Sequence, residues 1–380
     1  MRIGLITTWD SRTPGPASGA TYYLARALER HGHQVEYIGP IRTARELWGR
    51  IANRISRRLF RKSYLAIHGL ALARAHARII ARRLSPGLDV ILAPWGSTQV
   101  ALLQTDVPIA YLSDVTFALM RGYYHDFMSL SDRYAAEADE LERRAISRAA
   151  ALLYPSRWAA DSAINTYGAP ASRVHLLPFG ANLEDAPSRE EALAAKTGAR
   201  CRLLFLGREW ERKGGPLAYE VTLELRRRGV DAVLTVCGCH PAGPFDPLAL
   251  VVAPPIDKKK AEDRARMRTL LLGASFVLQP SRQELFGIAY CEASAYATPS
   301  VATETGGVGG ALTDGENGFL LSLDAGPAEY AAVIEQAFAD PSRYQALARS
   351  SRTAFEERLN WDAWSTRFTR IMSGRDDPAR

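Results

Sequence analysis

Short apolar runs alternate with amphipathic stretches along the whole chain. In the first half, "RIGLIT", "HQVEYIG", "DVILAP", "PIAYLS", "ALLYPS" and "VHLLPFG" are brief, mostly apolar and closed by Gly, Pro or polar residues, the pattern of strands buried on both faces. Between them, "GATYYLARALERHG" and "SLSDRYAAEADELERRAISRAA" place apolar residues at helical spacing. The pattern loosens over 181–200, a polar, Ala-rich stretch that reads as a linker. It then resumes with "CRLLFLG", a helix over 214–229, "DAVLTVCG", "LALVVAPPI", a helix over 260–272, "SFVLQPS", a helix through residue 292, "SVAT" and "NGFLLS". Strands alternating with helices in both halves predict an α/β protein of two doubly wound, Rossmann-like parallel-sheet domains. Ligands of such sheets bind beyond the carboxyl ends of the strands, so the loops there are where chemistry is sought.

Two of those loops are unusual. After "SFVLQPS" comes "RQELFGIAYCEASAYA", which puts Glu284 in a strand-to-helix loop and Glu292 more than a turn into the helix. Gly287 between them lets backbone approach a ligand closely, and the helix start offers unpaired N–H groups and a positive dipole end. Such a place suits anionic or hydroxyl-rich ligands, and a carboxylate at Glu292 suits the diol of a ribose. The alternative is that both glutamates are solvated surface residues. After "CRLLFLG" comes "REWERKGG", where Arg208 and Lys213 precede another helix start. Paired cations there either suit a diphosphate, because each donates charge-assisted hydrogen bonds to non-bridging oxygens, or belong to a solvated basic loop. In the first half, "SRTPGPASGATYY" sets Gly15 and Gly19 before a helix, either as a plain turn or as a loop open to phosphate, without the spacing of a dinucleotide fingerprint.

Composition narrows the class. The chain has 380 residues, 47% hydrophobic and 23% charged, enough for two domains with their own cores and too apolar for extensive disorder. No apolar run approaches the ~20 residues needed to cross a bilayer, and the opening "MRIGLITTWD" reads directly into a strand, so a cytoplasmic chain is expected. The cysteines Cys201, Cys237, Cys239 and Cys291 are too few and too irregular for a disulfide framework. "VCGCH" lacks a second ligand pair, so no metal site is expected. Residues 1–190 carry 24 Lys/Arg against 17 Asp/Glu, and residues 191–380 carry 24 of each. Residues 42–83 alone hold 12 basic residues and one acidic one, Glu46, with Leu47, Ile51, Ile55 and Leu59 spaced four apart. A basic amphipathic helix of this kind either lies on an anionic membrane surface or packs its stripe inward with solvated arginines.

The segments "LLFLGREWERKGG" and "PSRQELFGIAYCEASAYATPSVATETGGVGGALTDGENGFLL" resemble the carboxyl-terminal domain of family-4 glycosyltransferases, which have the GT-B architecture of two domains facing across a cleft. The E-x7-E pair of Glu284 and Glu292, then A-x-A-x-x-x-P, then Gly306-Gly307, is the specific part. The resemblance is close over 200–322 and looser over 1–40 and 110–182. It implies an acceptor-side domain over 1–185 with a crossing helix at 357–380, and a nucleotide-sugar domain over 195–356. The closing "RLNWDAWSTRFTRIMSG" fits, since Trp361, Trp364, Phe368 and Ile371 share one helical face.

What the resemblance implies is a retaining, metal-independent hexosyltransferase acting on a nucleotide sugar, with UDP-sugar expected ahead of GDP-sugar on frequency alone. Arg208 and Lys213 would hold the diphosphate, with Gly19 approaching it from the first domain. Glu292 would bind the ribose, Glu284 the donor sugar, and the backbone N–H groups of Phe286, Gly287 and Ile288 would assist. The acceptor would be a sugar, a lipid-linked molecule or a natural product, and family members that use lipid-linked acceptors often attach to the inner face of the membrane through their first domain. Where the family commonly has a histidine in that domain, this chain has Ser113-Asp114 in "PIAYLSDVTFALM". Asp114 either takes over a polar contact to donor sugar or acceptor, with a role as catalytic base the further reading, or caps the next helix. His125, with Tyr123, Tyr124 and Asp126 around it, marks a further acceptor-side loop. Two rival readings stand beside this one: a nucleotide-sugar epimerase or phosphorylase on the same fold, and a basic nucleic-acid-binding protein. The Arg208/Lys213 and E-x7-E combination opposes the first, and the absence of any aromatic RNA platform or zinc-ribbon motif opposes the second, so no nucleic-acid partner is expected.

Overall fold

The computed structural model describes residues 1–43, 69–124, 127, 130–196 and 198–375. It has two compact units, one comprising Met1–Leu177 with Ser365–Arg380 and the other Pro178–Trp364. The basic stripe of Leu47, Ile51, Ile55 and Leu59 lies outside the described residues, as do His125 and Asp126. Among the described residues no helix is long and apolar enough to cross a membrane.

The first unit is built on a parallel sheet of β1 (Arg2–Leu5), β2 (Gln34–Tyr37), β3 (Val90–Pro94), β4 (Ile109–Leu112), β5 (Ala151–Tyr154) and β6 (Val174–Leu176), in the order β2-β1-β3-β4-β5-β6. Every residue of β3, β4 and β5 is buried, which is why these strands read as unbroken apolar runs rather than alternating ones. Helices Leu70–Arg83 and Asp132–Arg148 bury Ala73, Ile80, Leu141 and Ala145 against the same core as Ile91 and Ile109.

The second unit repeats the plan with β7 (Cys201–Leu206), β8 (Ala232–Cys237), β9 (Leu250–Val252), β10 (Phe276–Gln279), β11 (Ser300–Thr303) and β12 (Gly318–Leu321), ordered β12-β11-β10-β7-β8-β9. Both expected sheets are present, all parallel. In each sheet the winding reverses once, between β1 and β3 in the first and between β7 and β10 in the second. Neighbouring loops diverge there, leaving a crevice at the strands' carboxyl ends.

The stretch expected as a linker, 181–200, belongs to the second unit, and the first unit ends at Leu177 rather than near 185. Packing explains this. Phe179 meets Phe286 edge-on, Ala181 N–H donates to Leu359 O at 2.9 Å, and helix Arg189–Ala194 packs into that unit through Ala192. Helix Trp361–Met372 buries Trp361, Trp364, Phe368 and Ile371, as its spacing predicted. The division runs through this helix: Trp361, stacked on Phe179, counts with the second unit, and Thr369, bonded to His33 Nε2 at 2.9 Å, with the first.

Candidate functional site

In the second unit the loops after β7 and β10 converge on its crevice. The first climbs from Gly207 through Arg208 and Lys213 into helix Gly215–Arg227. Gly214 sits at φ 76°, and a side chain there would collide with the Pro280 carbonyl of the neighbouring loop, so the two loops touch through bare backbone. Arg212 reinforces the contact by donating to Gln283 O at 2.7 Å. The second loop turns at Gly287, φ 91°, where a side chain would strike the Tyr290 ring. Phe286 is buried, and helix Ile288–Ala295 begins immediately afterwards, presenting its first N–H groups at this turn.

Both glutamates are buried, Glu284 at 8% and Glu292 at 4% relative exposure, so the solvated-surface reading fails for the pair. A buried carboxylate needs a counter-charge, and each has one. Glu284 pairs with Lys213, and Glu292 pairs with Lys258. Lys213 Nζ also donates to Gln279, whose amide, oriented so that its nitrogen donates to Leu206 O at 2.8 Å, accepts from the lysine at 2.9 Å. Three elements therefore hold one ammonium: the end of β10, the loop after it, and the lysine's own loop. Gly307 N–H fixes the Glu284 backbone by donating to its carbonyl at 3.1 Å. Lys258 reaches across the Glu292 helix to Asn182 O at 3.2 Å, and Asn182 Oδ1 accepts from the Trp361 indole at 2.9 Å.

Lys213 is half-buried and engaged by Glu284, whereas Arg208 stands exposed at the mouth of the same loop. An ammonium has three donors, and Glu284 and Gln279 engage two, leaving one for an anion in the crevice. The sequence reading missed Lys258, Gln279 and Asn182. Gln279 had a signal, a polar residue ending an otherwise apolar strand, and Lys258 had one in the lysine run of "PPIDKKK" after β9. Asn182 had none.

In the first unit, Gly19 is buried at φ 86° and caps helix Ala20–Arg30, where only glycine is relaxed, and its missing side chain leaves room beside the Tyr23 ring. Asp114 is not a helix cap. That role falls to Thr116, whose hydroxyl accepts from Leu119 N–H, while Asp114 Oδ1 accepts the Trp95 indole N–H at 2.8 Å. The same unit has a half-open cavity of about 1010 Å³ lined from Trp9 and Asp10 after β1, Trp95 and Ser97–Gln99 after β3, Ser113 and Thr116 after β4, and Glu142 from helix Asp132–Arg148. Burial pushes the Glu142 carboxyl up to about 7, against hydroxyl donation from Tyr111 and Ser97.

A family model described as "Family 4 Glycosyltransferase in conflict systems" matches residues 128–368, and one described as "Glycosyltransferase Family 4" matches residues 18–185. A D-inositol 3-phosphate glycosyltransferase of Xylanimonas cellulosilytica is 29% identical over 241 residues, covering 58% of this chain and 56% of that protein. An α-D-kanosaminyltransferase of Streptomyces kanamyceticus is 29% identical over 225 residues, covering 55% of this chain and 56% of that protein. The matches thus span little more than half of these relatives' length. Among solved structures, a sucrose-phosphate synthase of Thermosynechococcus elongatus superposes with TM-score 0.68 at 17% identity, covering 98% of each chain. HepE of Anabaena, solved with UDP and glucose, gives 0.61 at 15% identity, covering 98% of this chain and 100% of that one. At such identities the structures share the two-domain GT-B fold.

Proposed function

The chain belongs to glycosyltransferase family 4, and from that membership we propose that it transfers a sugar from a nucleoside-diphosphate donor to a hydroxyl acceptor, keeping the configuration at the anomeric carbon and using no metal. The observation that carries this reading is the crevice between β7 and β10, where Lys213 is clamped by Glu284 and Gln279 beside a glycine turn and a helix start. A nucleoside diphosphate leaving group gains negative charge as its bond to the sugar breaks. Lys213, Arg208 and the N–H groups of Phe286, Gly287 and Ile288 would meet that charge with fixed donors, the role a divalent cation plays elsewhere. Glu292, held by Lys258, would receive the ribose hydroxyls. Glu284 would contact the donor sugar while keeping the Lys213 ammonium aimed at the phosphates. Following the resemblance, Gly19 is proposed as a donor-binding position and Asp114 as a carboxylate on the acceptor side. Uridine is the proposed nucleoside, in keeping with the UDP in the HepE structure, with guanosine next.

Calorimetric titration of the whole chain in EDTA with UDP, GDP, ADP and TDP tests the reading. Micromolar binding of UDP, unchanged when Mg²⁺ replaces EDTA, is the expected result. Binding that needs Mg²⁺ or Mn²⁺ would overturn metal independence, and binding of none would overturn the donor assignment.

A further inference from the structure

The second unit begins at Pro178 and closes at Trp364, and its opening segment, residues 178–182, is tied to its closing one. Gly180 lies so near the returning chain that a side chain there would meet Trp361 N at 2.3 Å, and Ala181 N–H donates to Leu359 O at 2.9 Å. Phe179 stacks on the Trp361 ring, with centroids 5.7 Å apart, and Asn182 Oδ1 accepts the indole N–H at 2.9 Å. Phe179 and Asn182 are 1% exposed and Trp361 is 4% exposed. One tryptophan therefore has both its face and its polar edge held by the same short segment.

That segment also touches both parts of the crevice between β7 and β10. Phe179 meets Phe286, the residue before the Gly287 turn, with centroids 5.1 Å apart, and its carbonyl accepts from the Cys291 thiol of helix Ile288–Ala295 at 3.5 Å. Asn182 O accepts at 3.2 Å from Lys258, whose ammonium pairs with Glu292, the residue after Cys291. Among the described residues Lys258 is the side chain that bonds the Glu292 carboxylate, through Oε1, which leaves Oε2 to accept from a ligand. A lysine head on its flexible four-carbon stem is a loose support unless both ends are fixed. The root is fixed by Arg264, which donates to Lys258 O at 2.9 Å and Lys259 O at 3.0 Å, and by Asp263, which accepts Asp257 N–H at 2.9 Å. The head is fixed by Asn182 O. The Trp361 indole in turn keeps Asn182 from rotating, because a buried N–H and a buried amide oxygen would each lose a partner.

We propose that Asn182 is a positioning residue for the donor: bonded through its side chain to Trp361, it holds its carbonyl against Lys258 and so keeps the Glu292 carboxylate aimed at the ribose hydroxyls. The inference rests on the transfer reading above, in which Glu292 receives the ribose.

Calorimetry on the whole chain with UDP and 2′,3′-dideoxy-UDP, and with the matching guanosine pair, tests it, because the dideoxy analogue has no hydroxyl to donate to Glu292. The wild type should bind the ribonucleotide about tenfold more tightly. Asn182→Leu keeps the volume and removes the acceptor, while Trp361→Phe keeps a ring on Phe179 and removes the donor. Each should cut the preference to about threefold or less, with affinity for the dideoxy analogue within about twofold of the wild type. The double variant should lose no more than either single one, as expected of two ends of one bond. Circular dichroism checks folding, and Trp361→Phe carries the test if Asn182→Leu does not fold. Parallel losses for both ligands, or an unchanged preference, would overturn the proposal and leave the donor reading standing. Equal wild-type affinity for the two ligands would remove the ribose role of Glu292 and the proposal with it, and binding of none of the four would sink the transfer reading as well.

Discussion

Lys213 and Lys258 each neutralise one buried glutamate, so the charges of the donor crevice are coupled in pairs and a substitution is felt through its partner. Removing the Glu292 carboxylate should weaken UDP binding by about tenfold, the cost of two lost hydrogen bonds to a ribose. Lys258→Met should weaken it similarly by leaving Glu292 buried without its counter-charge. Glu284→Gln should behave differently, lowering kcat about a hundredfold while UDP affinity stays within about threefold, because its contact strengthens at the reacting sugar. Steady-state kinetics alongside calorimetry would show the split, and parallel losses in both variants would contradict separate ribose and sugar roles. The glutamate spacing was legible in the sequence because one loop and one helix turn contain it. Lys258 was not, since it lies 34 residues away along the chain and only folding brings it to Glu292.

At the scale of elements, the helix Ala261–Gly273 depends on a lysine that no local pattern announces. Lys196 is buried, and its ammonium lies 2.9 Å from Leu271 O and Leu272 O and 2.8 Å from Ala274 O and Thr298 Oγ1, four acceptors that share its three N–H groups. It closes carbonyls that the end of that helix leaves without intrahelical partners. Lys196→Met should destabilise the chain by about 2–4 kcal/mol through those stranded carbonyls, read as a lower Tm. Burial brings the lysine from 10.5 down to about 7. With the folded value lowered, the unfolded chain binds more protons between those values, so stability from this group rises with pH across that window. The wild type should therefore gain stability from pH 7 to 9 relative to the Met variant, and a constant difference would refute the linkage. Strands were legible at this scale because two-sided burial leaves an apolar run. Of the two readings of Asp114, the cap fails: Thr116 caps the helix before Phe117 and Asp114 accepts the Trp95 indole N–H instead, a choice between neighbouring side chains that only a contact distant in the chain makes.

At the scale of the molecule, two sheets of the same design have been given different chemistry. The crevice of the second offers cations and a helix start, while that of the first offers indoles and a carboxyl. Hydrogen exchange followed by mass spectrometry should accordingly show UDP protecting peptides over 205–216 and 280–296, with peptides over 92–100 and 109–120 unaffected by nucleotide alone. Protection confined to the first unit would reverse the assignment. The sequence by itself determined the alternation of strands and helices, the existence of two such domains and the E-x7-E site, because each is carried by neighbours within a strand, a loop or a turn. Only the tertiary structure decided that 181–200 belongs to the second unit, that each glutamate has its own lysine, and that Trp9, Trp95 and Glu142 share one cavity. Those depend on contacts between residues far apart in the chain, which close only when apolar burial in each core has fixed the elements that carry them.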